Sequence, residues 1–437
     1  MSLKERLKRL TGEEIKNVKP AVIDRQDQLR SLRQRIEGIL NRRPAVVYPS
    51  KITGSRKDNT KLQDILSGFE EKNSFGSFFR IHSILDGTDT HGNRRLNELS
   101  DLNMDAVALL ANDRRLKNLD CRDVLFLDTE TTGLAGGTGT LAFLIGLGWF
   151  EFDGNFVVSQ LFARNFAEEQ AVLAALQDIV ATKHYLITFN GKAFDVNLLS
   201  SRYILNRLNN PLISLPHLDL LHPARRLFGH RITNSRLMTL EETLLGFYRD
   251  GDLPGCEVPL RYFNWLRSHD PYLLLDVFHH NRLDITALAA LTVHLAEIFN
   301  VDCNSHHYSP DDFFAVARLY LDRGEQARAC SLLENLSRFG ANPSTVKARQ
   351  DLSLVYKRQR NWEKAVMLWK ELLRENPRNL FAAEELAKWH EHGEKDTETA
   401  FQLVKKILDT VPKMEKKEKE DWQHRMCRLE SRRQKRS

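Results

Sequence analysis

Three hydrophobic textures follow one another along the chain. Up to about residue 118 apolar positions are weakly periodic, with short helical patterns near 23–41 and 103–117. Between these, Pro49 to Asn97 is rich in Lys, Asn, Ser, Gly and Asp and reads as loops and short strands. The pattern sharpens at Val124, where Val124-Leu125-Phe126-Leu127 is a short apolar run ending in Asp128. Two further strand-like runs, Leu141 to Phe152 and Phe156 to Phe162, flank a hairpin signal at Asp153-Gly154-Asn155. Helical spacing follows over Glu168 to Ala181, a short strand over Tyr185 to Phe189, and helical spacing again over Asp195 to Leu208. Pro271 to Phe299 reads as a long helix with proline in its first turn. This order predicts an α/β domain with a mixed sheet.

From about residue 310 onward the pattern is wholly helical. Tyr356, Ala365, Trp369 and Pro377 fall on the spacing of a tetratricopeptide repeat, and Tyr320, Ala329 and Leu333 repeat part of it. His390, Ala400 and Pro412 do so with one extra residue. An ordinary helical bundle is the alternative. The expected division is 1–118, partly helical and loop-rich with no assigned role; 119–300, the α/β domain; 308–412, tetratricopeptide-like repeats; and 413–437, a charged, mostly basic tail.

A length of 437 residues fits two or three domains. The net charge of +6 permits a polyanionic partner without requiring one. Cations crowd both ends (Lys4, Arg6, Lys8, Arg9; Arg432, Arg433, Lys435, Arg436), where solvated tails are the simplest reading and nucleic-acid contact the alternative. The cysteines Cys121, Cys256, Cys303, Cys330 and Cys427 form no Cys-x-x-Cys pair, which argues against a zinc knuckle or disulfide framework and suits a reducing cytoplasm. The N-terminus lacks an apolar signal core, and no apolar run reaches the ~20 residues of a membrane span. A soluble, cytoplasmic protein with no membrane contact is expected.

The chemistry concentrates at Asp128-Thr129-Glu130-Thr131-Thr132-Gly133, at the end of a buried strand. Residues i and i+2 of a strand share a face, so both carboxylates point the same way. Two adjacent anions resist burial unless a cation neutralises them, and a hard divalent ion such as Mg²⁺ or Mn²⁺ suits carboxylate oxygen. Alone, the pair also reads as two solvated acids. A second acid, Asp195, follows the strand at Tyr185 and opens a helix, where an N-cap is the default role. In the long helix Asp284 lies one turn after His280, on the same face.

Asp-x-Glu-Thr-Thr-Gly, then Asn-x-x-x-Phe-Asp, then His-x-x-x-Asp, in that order, resembles the three motifs of the DEDD exonucleases, the DnaQ-like group. The run Thr132 to Thr140 followed by Ala142-Phe143-Leu144-Ile145-Gly146 is similar to the YprB-type ribonuclease H-like proteins, as is Leu218-Asp219-Leu220-Leu221. The resemblance spans about 120–300 and implies a ribonuclease H-like mixed β-sheet flanked by helices, with an all-α tetratricopeptide-like C-terminal domain. It also implies a 3′–5′ exonuclease that hydrolyses single-stranded DNA or RNA with two divalent metal ions. By that analogy Asp128 bridges both metals, Glu130 and Asp284 complete one site, and Asp195 holds the second. A histidine orients or deprotonates the attacking water. His279 stands five residues before Asp284, as in histidine-type members, and His280 stands four before, in the tyrosine slot of the others. The residues that follow favour His280 by resemblance to the YprB-type pattern; both remain candidates.

Around this core, the backbone of Thr131, Thr132, Gly133 and Leu134 is placed to approach a terminal nucleotide. Asn190 and Phe194 are candidates for a sugar or base, with core packing the competing role for Phe194. The glycine-rich Gly133 to Gly139 lacks the Gly-Lys-Ser/Thr of a P-loop and reads as a loop. Asp219 reads as a helix cap or supporting acceptor, and Arg225, Arg226, Arg231 and Arg236 as a solvated basic face or phosphate contacts. The repeats suggest a protein partner. The competing function is a non-catalytic nucleic-acid-binding scaffold acting through those repeats; the presence of all four carboxylates argues against it.

Overall fold

A computed structural model describes residues 61–133, 139–303, 305, 307–339, 342–411 and 414–434. The helical pattern at 23–41 and the Lys4–Arg9 cluster lie outside the described residues, as do Pro412, Lys435 and Arg436. A seven-stranded mixed sheet organises the first part. Its strands are β1 (Gly68–Asn73), β2 (Gly76–Leu85), β5 (Val124–Thr131), β6 (Ala142–Phe150), β7 (Phe156–Phe162), β8 (Tyr185–Thr188) and β9 (His217–Asp219). A separate two-residue hairpin is formed by β3 (Thr90–His91) and β4 (Arg94–Arg95). The sheet order is β1-β2-β7-β6-β5-β8-β9. The pairs from β1 to β5 are antiparallel, while β8 runs parallel to β5 and β9 parallel to β8.

The sheet reaches further toward the N-terminus than expected. β2 pairs with β7 over seven residues, so the stretch read as loops and short strands, in a region of no assigned role, contributes two strands to the same sheet. Their half-exposed faces explain why the signal was weak: Phe69 and Ile84 remain in solvent and polar residues alternate irregularly.

Helices cover both faces. The described helices used below are α1 (Met104–Ala111), α2 (Glu169–Val180), α3 (Asp195–Leu205), α4 (Leu221–Phe228), α5 (Val258–Ser268) and α6 (Leu275–Glu297). The proline expected in the first turn of the long helix instead opens a 3₁₀ turn, Pro271–Leu274, that leads into α6. The parity of β5 sets everything that follows. Leu125 and Leu127 pack with Leu173, Leu176, Leu199 and Tyr203 of α2 and α3. Val124 and Phe126 face the opposite way, toward Ile285 and Leu288 of α6. By the two-residue period of a strand, Asp128 and Glu130 continue the row of Phe126 and face α6, whereas Thr129 faces α3.

Helix α6 lies close to the sheet because β6 carries glycine where the two meet. A Cβ on Gly146 would sit 2.3 Å from Asn281 Oδ1, and one on Gly148 would sit 2.5 Å from Ile285 Cγ2 and 2.8 Å from Phe156 Cζ. Gly148→Ala should therefore lower stability by about 1–3 kcal/mol, the usual cost of overpacking a full core. Chemical denaturation of the two proteins measures it, and a midpoint unchanged by the methyl group would contradict the close approach.

The C-terminal part is all-helical. Seven helices follow: α7 (Pro310–Asp322), α8 (Gln326–Ser337), α9 (Pro343–Arg358), α10 (Trp362–Glu375), α11 (Leu380–His392), α12 (Thr397–Thr410) and α13 (Lys416–Gln434). Successive helices pack on each other, with Ala329, Ala365, Trp369 and Ala400 fully buried at their contacts. The basic end is not a solvated tail over its described length. α13 buries Trp422 and Leu429, seven positions apart and so on one helical face. Its Arg428 and Arg432 pair with the buried carboxylate of Glu391 at 2.7 and 2.6 Å. A charge run becomes a docked helix when apolar residues recur within it at helical spacing. No helix among the described residues is long and apolar enough to cross a membrane.

Candidate functional site

Two acids arrive on the end of β5 and the others on helices. The register of β5 against β6 shifts between Glu130 and Thr131, a bulge that ends regular pairing where the carboxylates emerge. Asp128 lies opposite Gly146, which leaves room for Asn281 of α6. Asn281 Nδ2 donates to Asp128 Oδ2 at 3.0 Å, and its Oδ1 accepts from Gln160 Nε2 at 2.9 Å. Gln160 Nε2 also donates to the Phe278 carbonyl at 2.9 Å. Asn281 and Gln160 are buried, so Asp128 is held by an amide that is itself fixed from behind.

One turn of α6 brings His280 beside Asp284. His280 Nε2 lies 3.4 Å from Asp284 Oδ2 and 3.9 Å from Glu130 Oε1. Among the described residues, Glu130, His280 and Asp284 offer ligand atoms all within 4.8 Å of one another. His279, the alternative histidine, projects outward and is exposed. Burial and Arg282 lower its pKa. Asp195 approaches from the other face, where its carboxylate accepts a short hydrogen bond from the Thr129 hydroxyl.

The electrostatics are those of crowded anions. Burial, then repulsion from Asp284, Asp195 and Glu130, holds the Asp128 carboxyl well above the usual carboxylate range. Burial lifts Glu130 to about 8; His280 opposes the rise, and Asp284, Asp195 and Asp252 add to it. Burial likewise raises Asp195 to about 6 against the Thr129 hydrogen bond. Asp284 is raised by burial, with His280 and Arg249 pulling the other way. For His280, burial lowers the pKa, but the Asp252 hydrogen bond and the charges of Asp284 and Glu130 outweigh it and push the ring up to about 9. Clustered carboxylates strained by their own charge fit a hard divalent cation, with the His280 imidazole beside them.

Residues 125–296 match a family described as RNase_H superfamily. A protein of Bacillus subtilis (strain 168), named "Uncharacterized protein YprB", is 35% identical over 319 residues, spanning 72% of this chain and 76% of its own length. The chain belongs to the YprB family, within the ribonuclease H superfamily. Membership indicates a nuclease, with nucleic acid as the class of substrate and divalent metal as the fold's usual cofactor. The residues matched by the family, 125–296, include all four acids.

The flanking residues expected to touch substrate fall into two groups. Thr131 Oγ1 donates to the Gly133 carbonyl at 2.9 Å, and Thr132 Oγ1 accepts from Leu141 N at 2.9 Å, so both hydroxyls close the β5–β6 connection. Leu134 lies outside the described residues. Asn190 adopts a left-handed φ of 63°, held by its N–H on Asp219 Oδ1 at 2.7 Å. Asp219 also accepts from Lys192 N and Leu221 N, which makes it the supporting acceptor that was one of its two expected roles. Phe194 does not pack in the core: it is 56% exposed immediately before Asp195. Of the basic cluster, Arg226 and Arg231 are committed to Asp322 and Asp312 of α7.

Sequence reasoning missed the residues behind the site. Arg249, Asp252, Glu241 and His91 carry no motif and sit in turns or in the stretch without an assigned role. A side-chain shell of this kind is assembled by tertiary structure alone. Only the helical spacing from Asp284 to Asn281 could have pointed to one member, Asn281.

Proposed function

We propose that this chain is a DEDD-type exonuclease that hydrolyses single-stranded DNA or RNA from the 3′ end to nucleoside 5′-monophosphates. The observation carrying the proposal is the meeting of Asp128 and Glu130 on β5 with Asn281, His280 and Asp284 on α6. Asp128, Glu130, Asp195 and Asp284 would hold two divalent ions, Mg²⁺ or Mn²⁺. Bound there, such ions polarise the phosphoryl group and make water a competent nucleophile at neutral pH. Once bound cations displace the proton the ring holds, His280 would take a proton from the attacking water through Nε2. Asn281 keeps Asp128 oriented, and exposed Phe194 offers a face on which an unpaired base stacks. Thr131, Thr132 and Gly133 would supply backbone near the terminal nucleotide, and Asn190 would contact its sugar or base. The α/β unit, extended to include β1 and β2, works as the nuclease domain in the cytoplasm. The C-terminal helices work as tetratricopeptide-like repeats that dock a protein partner.

The direct test is hydrolysis of 5′-labelled single-stranded DNA and RNA with Mn²⁺, Mg²⁺ or EDTA. A metal-dependent ladder supports the proposal, and circular strands should resist. Binding of both polymers without cleavage would favour the scaffold instead.

Metal binding should depend on pH. Below about 8, Glu130 holds a proton that a cation must displace, and Asp195 does so below about 6. Affinity for Mn²⁺ should therefore rise between pH 6 and 8, by up to ~10-fold per pH unit for each proton released. Calorimetric titration in buffers of different ionisation enthalpy counts the protons. A flat affinity over that range would contradict the assignment of Glu130.

A further inference from the structure

Behind the carboxylates lies a second, fully enclosed set of charges that the proposed reaction does not use. The Arg249 guanidinium, with a side chain 1% exposed, reaches three acids at once. Its Nη1 lies 3.0 Å from Asp252 Oδ2, and its Nη2 lies 2.6 Å from Asp284 Oδ1 and 2.7 Å from Glu241 Oε2. Asp252 in turn grips the far side of the His280 ring: Nδ1 lies 2.9 Å from Oδ1 and 2.8 Å from Oδ2. Glu241 Oε1 meets His91 Nε2 at 2.7 Å, and His91 Nδ1 meets Thr286 Oγ1 at 3.1 Å, which returns the chain of contacts to α6.

The elements that carry this shell are held in unusual backbone. Glu241 opens a π-helical turn, Glu241–Leu245, a form found often at functional sites. The β3–β4 hairpin docks on that turn through Asn93 N to the Leu245 carbonyl at 2.8 Å. Gly92, with φ 61°, passes so close that a Cβ would lie 2.2 Å from Leu245 O. His91 stacks on Phe247 with ring centroids 4.0 Å apart. The hairpin from the stretch with no assigned role is thus a buttress of the site.

We propose that Asp252, clamped by Arg249, is a positioning residue: it fixes the His280 ring with Nδ1–H turned away from the carboxylate cluster and Nε2 turned into it. The proposal rests on the nuclease reading for its effect on catalysis, but the ring orientation stands apart from it. A carboxylate accepting from Nδ1–H leaves the Nε2 lone pair as the only ring nitrogen free to take a proton. Arg249 fixes the same geometry from the other end, since one guanidinium binds both the acid behind His280 and one oxygen of Asp284, leaving Asp284 Oδ2 toward the ring. A mere structural salt bridge would not aim the ring at Glu130 and Asp284.

The test compares wild type with Asp252→Asn, using the full chain saturated with Mg²⁺. Imidazole ¹H–¹⁵N spectra of histidine-labelled protein, followed up to about pH 10 so that the neutral ring is observed, report the tautomer, with His280 assigned by its loss in His280→Gln. Wild-type His280 should carry its proton on Nδ1, and Asp252→Asn should shift that population toward Nε2. On 5′-labelled single strands the substitution should lower kcat about 10- to 100-fold with KM within about twofold, while Asp252→Glu recovers part of the loss. A wild-type ring protonated at Nε2 alone overturns the proposal without any variant, which keeps it testable if Asp252→Asn folds poorly. A folded Asp252→Asn with wild-type kcat and an unchanged His280 signal also overturns it. Should wild type cleave no strand, the nuclease reading falls, and the spectrum still decides the role of Asp252.

Discussion

Replacing Asp128 with asparagine should abolish hydrolysis, by about 10³- to 10⁴-fold or more, while making the metal-free protein more stable. The two effects have one cause. Asp128 sits among Glu130, Asp195 and Asp284, and burial together with their repulsion raises its pKa well above the usual carboxylate range. A carboxyl whose pKa is raised in the folded state binds protons more tightly there than in the unfolded chain. Its cost to stability is absent below the unfolded pKa and grows as pH rises toward the folded value, so near pH 7 this carboxyl opposes folding. Asparagine keeps the shape, and its carbonyl can still accept from Asn281 Nδ2, which in the native protein lies 3.0 Å from Asp128 Oδ2. The repulsion is gone. So is an anionic oxygen placed to hold a divalent cation, and losing several kcal/mol of transition-state stabilisation at such a centre accounts for the rate. Thermal denaturation in EDTA and single-strand hydrolysis in Mn²⁺ measure the two halves. Lost activity with lowered stability would mean that the asparagine merely damaged the fold. Activity retained within about tenfold would remove Asp128 from the site.

Much of this arrangement is legible in the sequence, because its parts obey local rules. The apolar run Val124 to Leu127 announces a buried strand, and the two-residue period then puts Asp128 and Glu130 on one face. That face is the one α6 covers. The four-residue spacing of a helix likewise puts His280 above Asp284. Where local rules fall silent, the sequence does too. Strands β1 and β2 leave Phe69 and Ile84 in solvent at the edge of the sheet, so their apolar alternation is broken. The docking of α13 rests on two apolar positions, Trp422 and Leu429, within a run of charges. Arg249 and Asp252 belong to a turn whose sequence, Arg249-Asp250-Gly251-Asp252, reads as polar surface. Their side chains are buried where Arg249 meets Glu241 of the π turn and Asp252 meets His280 of α6. The exposure of Phe194 has the same origin: its N–H closes the Asn190 turn at 3.2 Å, and that turn, not its own hydrophobicity, sets its place before Asp195.

The choice between the two adjacent histidines shows what the folded structure adds. On a helix, neighbouring side chains diverge by about 100°, so only one of His279 and His280 can face the acids. His280 does, with Nε2 at 3.4 Å from Asp284 Oδ2, and His279 is exposed. His280→Ala should therefore lower kcat about 10²- to 10⁴-fold, the range for loss of a general base. His279→Ala should stay within about threefold. In the metal-free protein the His280 substitution also removes a positive ring from among Glu130, Asp284 and Asp252, all of which it draws toward ionisation. Metal affinity need not fall with activity, because the carboxylates remain. Single-turnover rates and Mn²⁺ titrations on both variants separate these effects. Equal losses in the two proteins would point to damage along α6, and a loss confined to His279→Ala would restore the histidine-type spacing as the working one.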